Sequence, residues 1–215
     1  MGALGLCNQI LVLLISVFLS LSAFGSEESS YRNEQYSFTL HYKPPFQVRS
    51  FGEGYFEILK DGKIFAQASV EDDPFQIFIQ EAKPKTDAFR SFARERCKII
   101  CDADGPDGSS YCKEITSEKE WTSANCLRVL EFTLIFTREN YQDKTKEDSR
   151  MGPVYLVEIS RAGHPLALMI HPAPETLLPR DSEQLIRGLI DTIQLRPTKS
   201  DRQREVKVCG TTCRK

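Results

Sequence analysis

Residues 55–70 read YFEILKDGKIFAQASV, and this stretch decides the class of fold. Two runs rich in aromatic and β-branched residues flank Asp61-Gly62, a dipeptide suited to a two-residue turn because both central positions take positive φ. The reading is a β-hairpin, and therefore an antiparallel sheet. In the second arm Ile64, Ala66, Ala68 and Val70 share one face, where two small alanines leave room for a helix to pack close.

Working outward, residues 154–161 and 166–171 form a second hairpin around Ala162-Gly163-His164-Pro165, with Tyr155, Val157 and Ile159 matching Leu166, Leu168 and Ile170 in pattern. Residues 127–137 give the clearest strand: Leu130, Phe132, Leu134 and Phe136 line one face, while Val129, Glu131, Thr133 and Ile135 make a mixed and wetter one. Residues 36–42, YSFTLHY, alternate in the same way and stop at Pro44-Pro45, since proline cannot donate to a ladder. Phe75, Ile77 and Ile79 predict a further strand over 75–80. Residues 113–121 read as an irregular polar arm, and 139–150 as a long charged surface connection.

Two segments change period. From Thr86 and Asp87, a cap and a first-turn acid, the apolar positions fall at Phe89, Phe92, Ala93, Cys97 and Ile100, an amphipathic helix that brings Cys97 and Cys101 to one face. A last helix starts at Asp181 or Ser182, with Leu185, Ile186, Leu189, Ile190 and Ile193 on its face, and Thr192 to Leu195 suit a short closing strand. Hairpins interrupted by helices define an α+β domain, a single twisted antiparallel sheet with flanking helices.

The chain has 215 residues, 40% hydrophobic and 27% charged, which excludes a disordered chain and suits one domain. Residues 10–24 are almost unbroken apolar sequence, too short for a comfortable membrane span, and end at Ala23-Phe24-Gly25 before the polar SEESS. The expectation is a signal peptide over 1–25, cleaved near Gly25, and export to a periplasmic or extracellular compartment. The alternative is an uncleaved N-terminal membrane anchor, since the first residues lack Lys or Arg. A linker over 26–35, a domain over 36–196 and a basic tail over 197–215 complete the layout. From Arg196 on, seven Lys and Arg stand against two Asp and Glu, so a chain of net charge −2 carries about −7 on its body. No aromatic residue interleaves that tail, so it gives no specific nucleic-acid signal.

Of seven cysteines, six remain after removal of Cys7 with the signal, and an even set in an exported chain implies disulfides. Four of them, Cys97, Cys101, Cys112 and Cys126, allow three pairings. Cys97 with Cys126 and Cys101 with Cys112 is the preferred set, the latter closing a ten-residue loop whose cross-link is worth about 3 kcal/mol. Cys209 and Cys213 form a local pair or, with Arg214 and Lys215 beside them, a redox pair. The spacing lacks the C-x2-C knuckles of structural zinc sites.

Between the cysteines, Asp102, Asp104, Asp107-Gly108 and Glu114 approach the EF-hand calcium pattern, with one residue inserted before the third ligand and a strand where the exiting helix belongs. Calcium held by these four residues is therefore an irregular site at best, and tight binding is not expected. His41, His164 and His171 are too scattered for a triad or metal cluster. No nucleophile elbow, zincin motif or phosphate-binding glycine loop occurs.

In layout the chain resembles the PsbP-like family, named for an extrinsic subunit of photosystem II. The resemblance rests on the opening Tyr36-Ser37-Phe38-Thr39-Leu40 strand running into Pro44-Pro45, the early hairpin, the central helix, the long strand and hairpin, and the ending from Ile186 to Leu195. It implies a non-enzymatic binding or assembly domain and brings no catalytic residues. The expected function is thus an exported, disulfide-stabilised binding or accessory protein, whose partner is another protein or an envelope component. The alternatives are a small exported hydrolase or thiol oxidoreductase, and a calcium-binding domain.

Overall fold

A computed structural model describes residues 28–52, 54–83, 86–161, 164–173 and 180–197. The expected signal peptide, Cys209, Cys213 and nearly all of the basic tail lie outside these residues. Eleven strands and three helices are described: β1 (Ser29–Asn33), β2 (Phe38–Tyr42), β3 (Phe46–Ser50), β4 (Tyr55–Lys60), β5 (Lys63–Glu71), α1 (Asp73–Ala82), α2 (Ala88–Ile99), β6 (Ala103–Gly105), β7 (Gly108–Thr122), β8 (Arg128–Asn140), β9 (Lys146–Glu158), β10 (Ala167–Pro172), α3 (Arg180–Ile190) and β11 (Gln194–Leu195). Among them no helix is long and apolar enough to cross a membrane.

The class is the expected α+β, with one large antiparallel sheet of eight strands in the order β3-β4-β5-β10-β9-β8-β7-β6, and a second sheet of three, β1-β2-β11. The Asp61-Gly62 turn joins β4 to β5 as read from the sequence, with Asp61 at φ 52° and Gly62 at φ 75°. The second hairpin docks beside it: β10 sets Leu168 against Val70 on one side and Val157 on the other. The three-stranded sheet was not anticipated, because β1 falls in the stretch assigned to the linker and β11 has only two residues.

Both faces of the large sheet are covered. On one, Leu130, Phe132, Leu134, Leu156 and Met169 meet Phe75 of α1 and Phe89 and Phe92 of α2. On the other, Val129, Tyr155, Val157, Ala66 and Ala68 share a core with Phe38 of β2 and Ile186, Leu189 and Ile190 of α3. The face of β8 expected to be wetter is buried, because α3 and the small sheet close over it. Val129 is 0% and Glu131 only 3% exposed.

Three sequence readings are corrected. Residues 75–80 are helical, not a strand. Phe75, Ile77 and Ile79 fit a period of two, but Phe75, Phe78 and Ile79 equally fit one helical face, and Pro74 suits a first turn. Packing decides between them: Phe75 stacks on Phe92 at 4.4 Å between ring centroids while Ile77 is 51% exposed. Residues 113–121 belong to the long β7, whose register shifts between Cys112 and Glu114 and between Ile115 and Ser117. Each shift breaks the alternation that marks a strand in sequence. Residues 139–150 are no long connection, since β8 runs to Asn140 and β9 begins at Lys146. Their charges complement one another across the ladder, Glu139 opposite Lys146 and Arg138 opposite Glu147.

Candidate functional site

The cysteine and aspartate stretch folds as a hairpin on the edge of the large sheet. Helix α2 ends at Ile99, the Asp102 amide donates to the Ile99 carbonyl at 2.9 Å, and β6 then pairs with β7 through Ala103↔Ser110, Asp104↔Ser109 and Gly105↔Gly108. The turn is Pro106-Asp107. Gly108 is required by close approach rather than by its φ: a Cβ there would lie 2.1 Å from the Glu139 carbonyl oxygen of β8.

Beside this hairpin lies an open cleft of about 650 Å³, walled by Asp104, Asp107 and Ser109 on one side and Arg138, Glu139 and Asp143 on the other. Its carboxylates are engaged with the neighbouring β8–β9 turn. Asp104 accepts from the Tyr141 hydroxyl at 2.9 Å and Asp107 from Gln142 Nε2 at 3.2 Å, while the Tyr141 amide donates to the Asp107 carbonyl at 3.0 Å. Asp143 accepts from the Thr145 hydroxyl at 2.6 Å and amide at 3.0 Å, and the hydroxyl bond holds its carboxyl below the usual carboxylate range. Asp104 and Asp107 clasp the two turns together, while Asp143 secures its own turn.

Of the four candidate calcium ligands, Asp104 and Asp107 face the β8–β9 turn, Asp102 is exposed at the helix exit, and Glu114 is exposed on β7 opposite Ile135. Among the described residues no three His, Cys, Asp or Glu side chains are grouped to hold a metal. An EF-hand loop wraps its oxygens around one point, whereas an antiparallel hairpin spreads alternate side chains to opposite faces.

The cysteines do converge, at the base of the hairpin. Cys97, Cys101 and Cys112 are free thiols, with Cys97 fully buried in α2 and Cys101 just beyond the helix end. Cys101 Sγ lies 3.6 Å from Met151 Sδ of β9, and Cys112 packs against the same apolar cluster. Burial pushes all three thiols up, Cys101 to about 12, so none offers the ready thiolate that thiol exchange catalysis requires. The expected pairing of Cys97 with Cys126 is not formed: Cys97 is free, while Cys126 is disulfide-bonded, and to none of these three. The expected Cys101–Cys112 disulfide is likewise not formed, since both are free thiols.

A second feature escaped the sequence reading. At the tip of the β3–β4 hairpin Phe51 is 58% exposed, with Tyr55 5.8 Å away between ring centroids and 37% exposed, and the Arg49 guanidinium 5.1 Å from the Phe51 centroid. Arg49 is fixed from behind by Glu57, directly opposite it on β4. The only signal in sequence was an aromatic pair flanking glycines, which equally suits a buried turn.

No family model and no curated protein matches the chain. Five solved chains do, among them these two. One is cyanobacterial PsbP (CyanoP) from Synechocystis sp. PCC 6803, 12% identical over 80% of this chain and 95% of that one, with a TM-score of 0.45. The other is the Ran-binding protein Mog1p of Saccharomyces cerevisiae, 11% identical over 80% of this chain and 96% of that one, with a TM-score of 0.41.

Proposed function

We propose that this protein is an exported binding or accessory module that engages a partner protein through the tip of its β3–β4 hairpin. The observation that carries the reading is Phe51, a large aromatic side chain left in water at a hairpin tip and flanked by Tyr55 and Arg49. Aromatic residues and arginine dominate the few positions that supply most of the energy of protein interfaces. Arg49 spans Glu57 and the Phe51 ring, so the cluster is partly ordered before binding and loses less entropy when a partner covers it. Export rests on the apolar run over 10–24 followed by SEESS. The raised thiol values weigh against a thiol oxidoreductase.

The test is affinity capture of the mature protein from the periplasmic or extracellular fraction, with a photo-crosslinking residue in place of Phe51. A partner crosslinked from position 51, and lost in Tyr55→Ser but kept in Ile77→Ser, is the expected result. Equal capture by wild type and a folded Phe51→Ser, Tyr55→Ser double variant would overturn the reading.

A further inference from the structure

The thiols at the base of the β6–β7 hairpin have no part in the proposed partner contact. We infer that Cys101 and Cys112 are a reversible disulfide site, closed by exchange with a small-molecule disulfide, whose formation fixes the hairpin that walls the acidic cleft.

Register carries the argument first. The β6–β7 pairs Ala103↔Ser110, Asp104↔Ser109 and Gly105↔Gly108 leave Cys101 two residues before the ladder and Cys112 two residues beyond it, and both side chains lie at the same apolar cluster. The Ser110 hydroxyl donates to the Cys101 carbonyl at 2.7 Å, which ties the residue after the helix to β7 just where the ladder stops. A disulfide needs Cβ atoms about 3.5–4.5 Å apart, so closure draws together the two residues that flank the ladder. The register shift between Cys112 and Glu114 places an irregularity beside the residue that has to move. Cys101, by contrast, is anchored, because the last turn of α2 is seated by the fully buried Cys97.

Exposure assigns the roles within the trio. Cys97 is sealed in the core, Cys101 is nearly so, and Cys112 is only half-buried on β7. Cys112 is therefore the entry thiol. Its deprotonated sulfur attacks one sulfur of the reagent disulfide, forming a mixed disulfide and releasing one reagent thiolate. Cys101 then loses its proton to solvent and attacks Cys112 Sγ, forming the Cys101–Cys112 bond and expelling the second reagent thiolate. Two protein thiols have lost two protons and two electrons, and the reagent disulfide has been reduced to two thiols. The high thiol pKa values make the first step slow at neutral pH and faster as pH rises. The product ties the end of α2 to β7 across the hairpin's open end, leaving Asp104 and Asp107 on a closed loop.

The experiment equilibrates the native full-length protein with oxidised and reduced glutathione, quenches with an alkylating reagent and maps the peptides by mass. The expected result is loss of two hydrogens located to one Cys101–Cys112 cross-link, undone by excess reductant. It should be absent in Cys101→Ser and Cys112→Ser and retained in Cys97→Ser. Amide hydrogen exchange at Ala103–Gly105 should slow by roughly tenfold on oxidation, since the hairpin can no longer open locally. Three free thiols at equilibrium in the native protein, a cross-link that involves Cys97, or one that forms only in denaturant would overturn the assignment. A correct cross-link with unchanged exchange at β6 would overturn the claim that it fixes the hairpin.

Discussion

Two helices dock on opposite faces of the same sheet and solve the problem of charge in different ways. Helix α2 lays Phe89, Phe92 and Ala93 on a wholly apolar patch of β8 and β9 and keeps its ion pairs at the rim. There the Asp87 side chain caps the helix, accepting from the Arg90 amide at 3.1 Å, and takes both arms of Arg128, which also donates to Glu120 at 2.7 Å. Helix α3 covers a face that holds a carboxylate at its centre. Glu131 lies on β8 between Val129 and Thr133, and accepts from Arg187 of α3 at 2.9 and 2.5 Å and from Lys119 of β7 at 3.3 Å. The Arg187 guanidinium also lies 5.9 Å from the Trp121 ring centroid. A buried carboxylate is tolerable only with such partners, because desolvation of an unpaired charge costs several kcal/mol. The α2 face gains stability from apolar area, whereas the α3 face gains a fixed placement of the helix.

The comparison can be broken most forcefully on the apolar side. Phe132→Ala empties a fully buried position beneath α1 and α2 and should cost about 3–5 kcal/mol in urea denaturation. A loss under about 1 kcal/mol would mean that this face is loosely packed.

On the other face, Arg187→Met keeps the apolar contact with Trp121 but strands Glu131 with Lys119 alone. The expected loss is about 2 kcal/mol, below the usual cost of breaking a buried pair because Lys119 remains. Adding Glu131→Gln should restore most of it, and failure to do so would show that the guanidinium matters for packing more than for charge.

The smallest effect belongs to the rim. The Arg128 guanidinium, hydrogen-bonded to Asp87, lowers that carboxyl from its ordinary 3.8 to about 2. A depressed carboxyl stabilises the fold above its unfolded value and loses that contribution as pH falls from about 4 through about 2. Asp87→Asn retains a capping side chain and should cost less than about 1 kcal/mol at pH 7. The difference from wild type should shrink as pH falls from about 4 and be gone only well below pH 2. A difference that persists there would assign the effect to the cap and not to the charge.

The parts of the fold that could be read early are those whose signal is local. Asp61-Gly62 announces its turn because few other residues adopt positive φ at both positions, and the apolar stripes of α2 and α3 repeat over three turns. The strand expected at residues 75–80 failed because six apolar-rich residues fit both periods, and only Phe92 across the gap selects the helix. Long β7 was obscured by its own register shifts. In the candidate site, the nearness of Cys101 and Cys112 was legible from a turn-rich loop of ten residues. The role of Asp104 and Asp107 was not, since Tyr141 and Gln142 lie more than thirty residues further along the chain. The exposure of Phe51 was equally hidden, because a sequence names an aromatic residue without saying whether anything covers it.

The sequence alone determined the α+β class, the two hairpins, two of the helices and the neighbourhood of the hairpin cysteines, since each follows from dihedral preference or periodicity within a few residues. Tertiary structure decided which apolar runs became helix, that Glu131 was to be buried and paired, that the aspartates clasp a neighbouring turn, and which aromatic side chains stay in water. Those outcomes depend on burial and on partners distant in the chain, and burial is a property of the packed molecule.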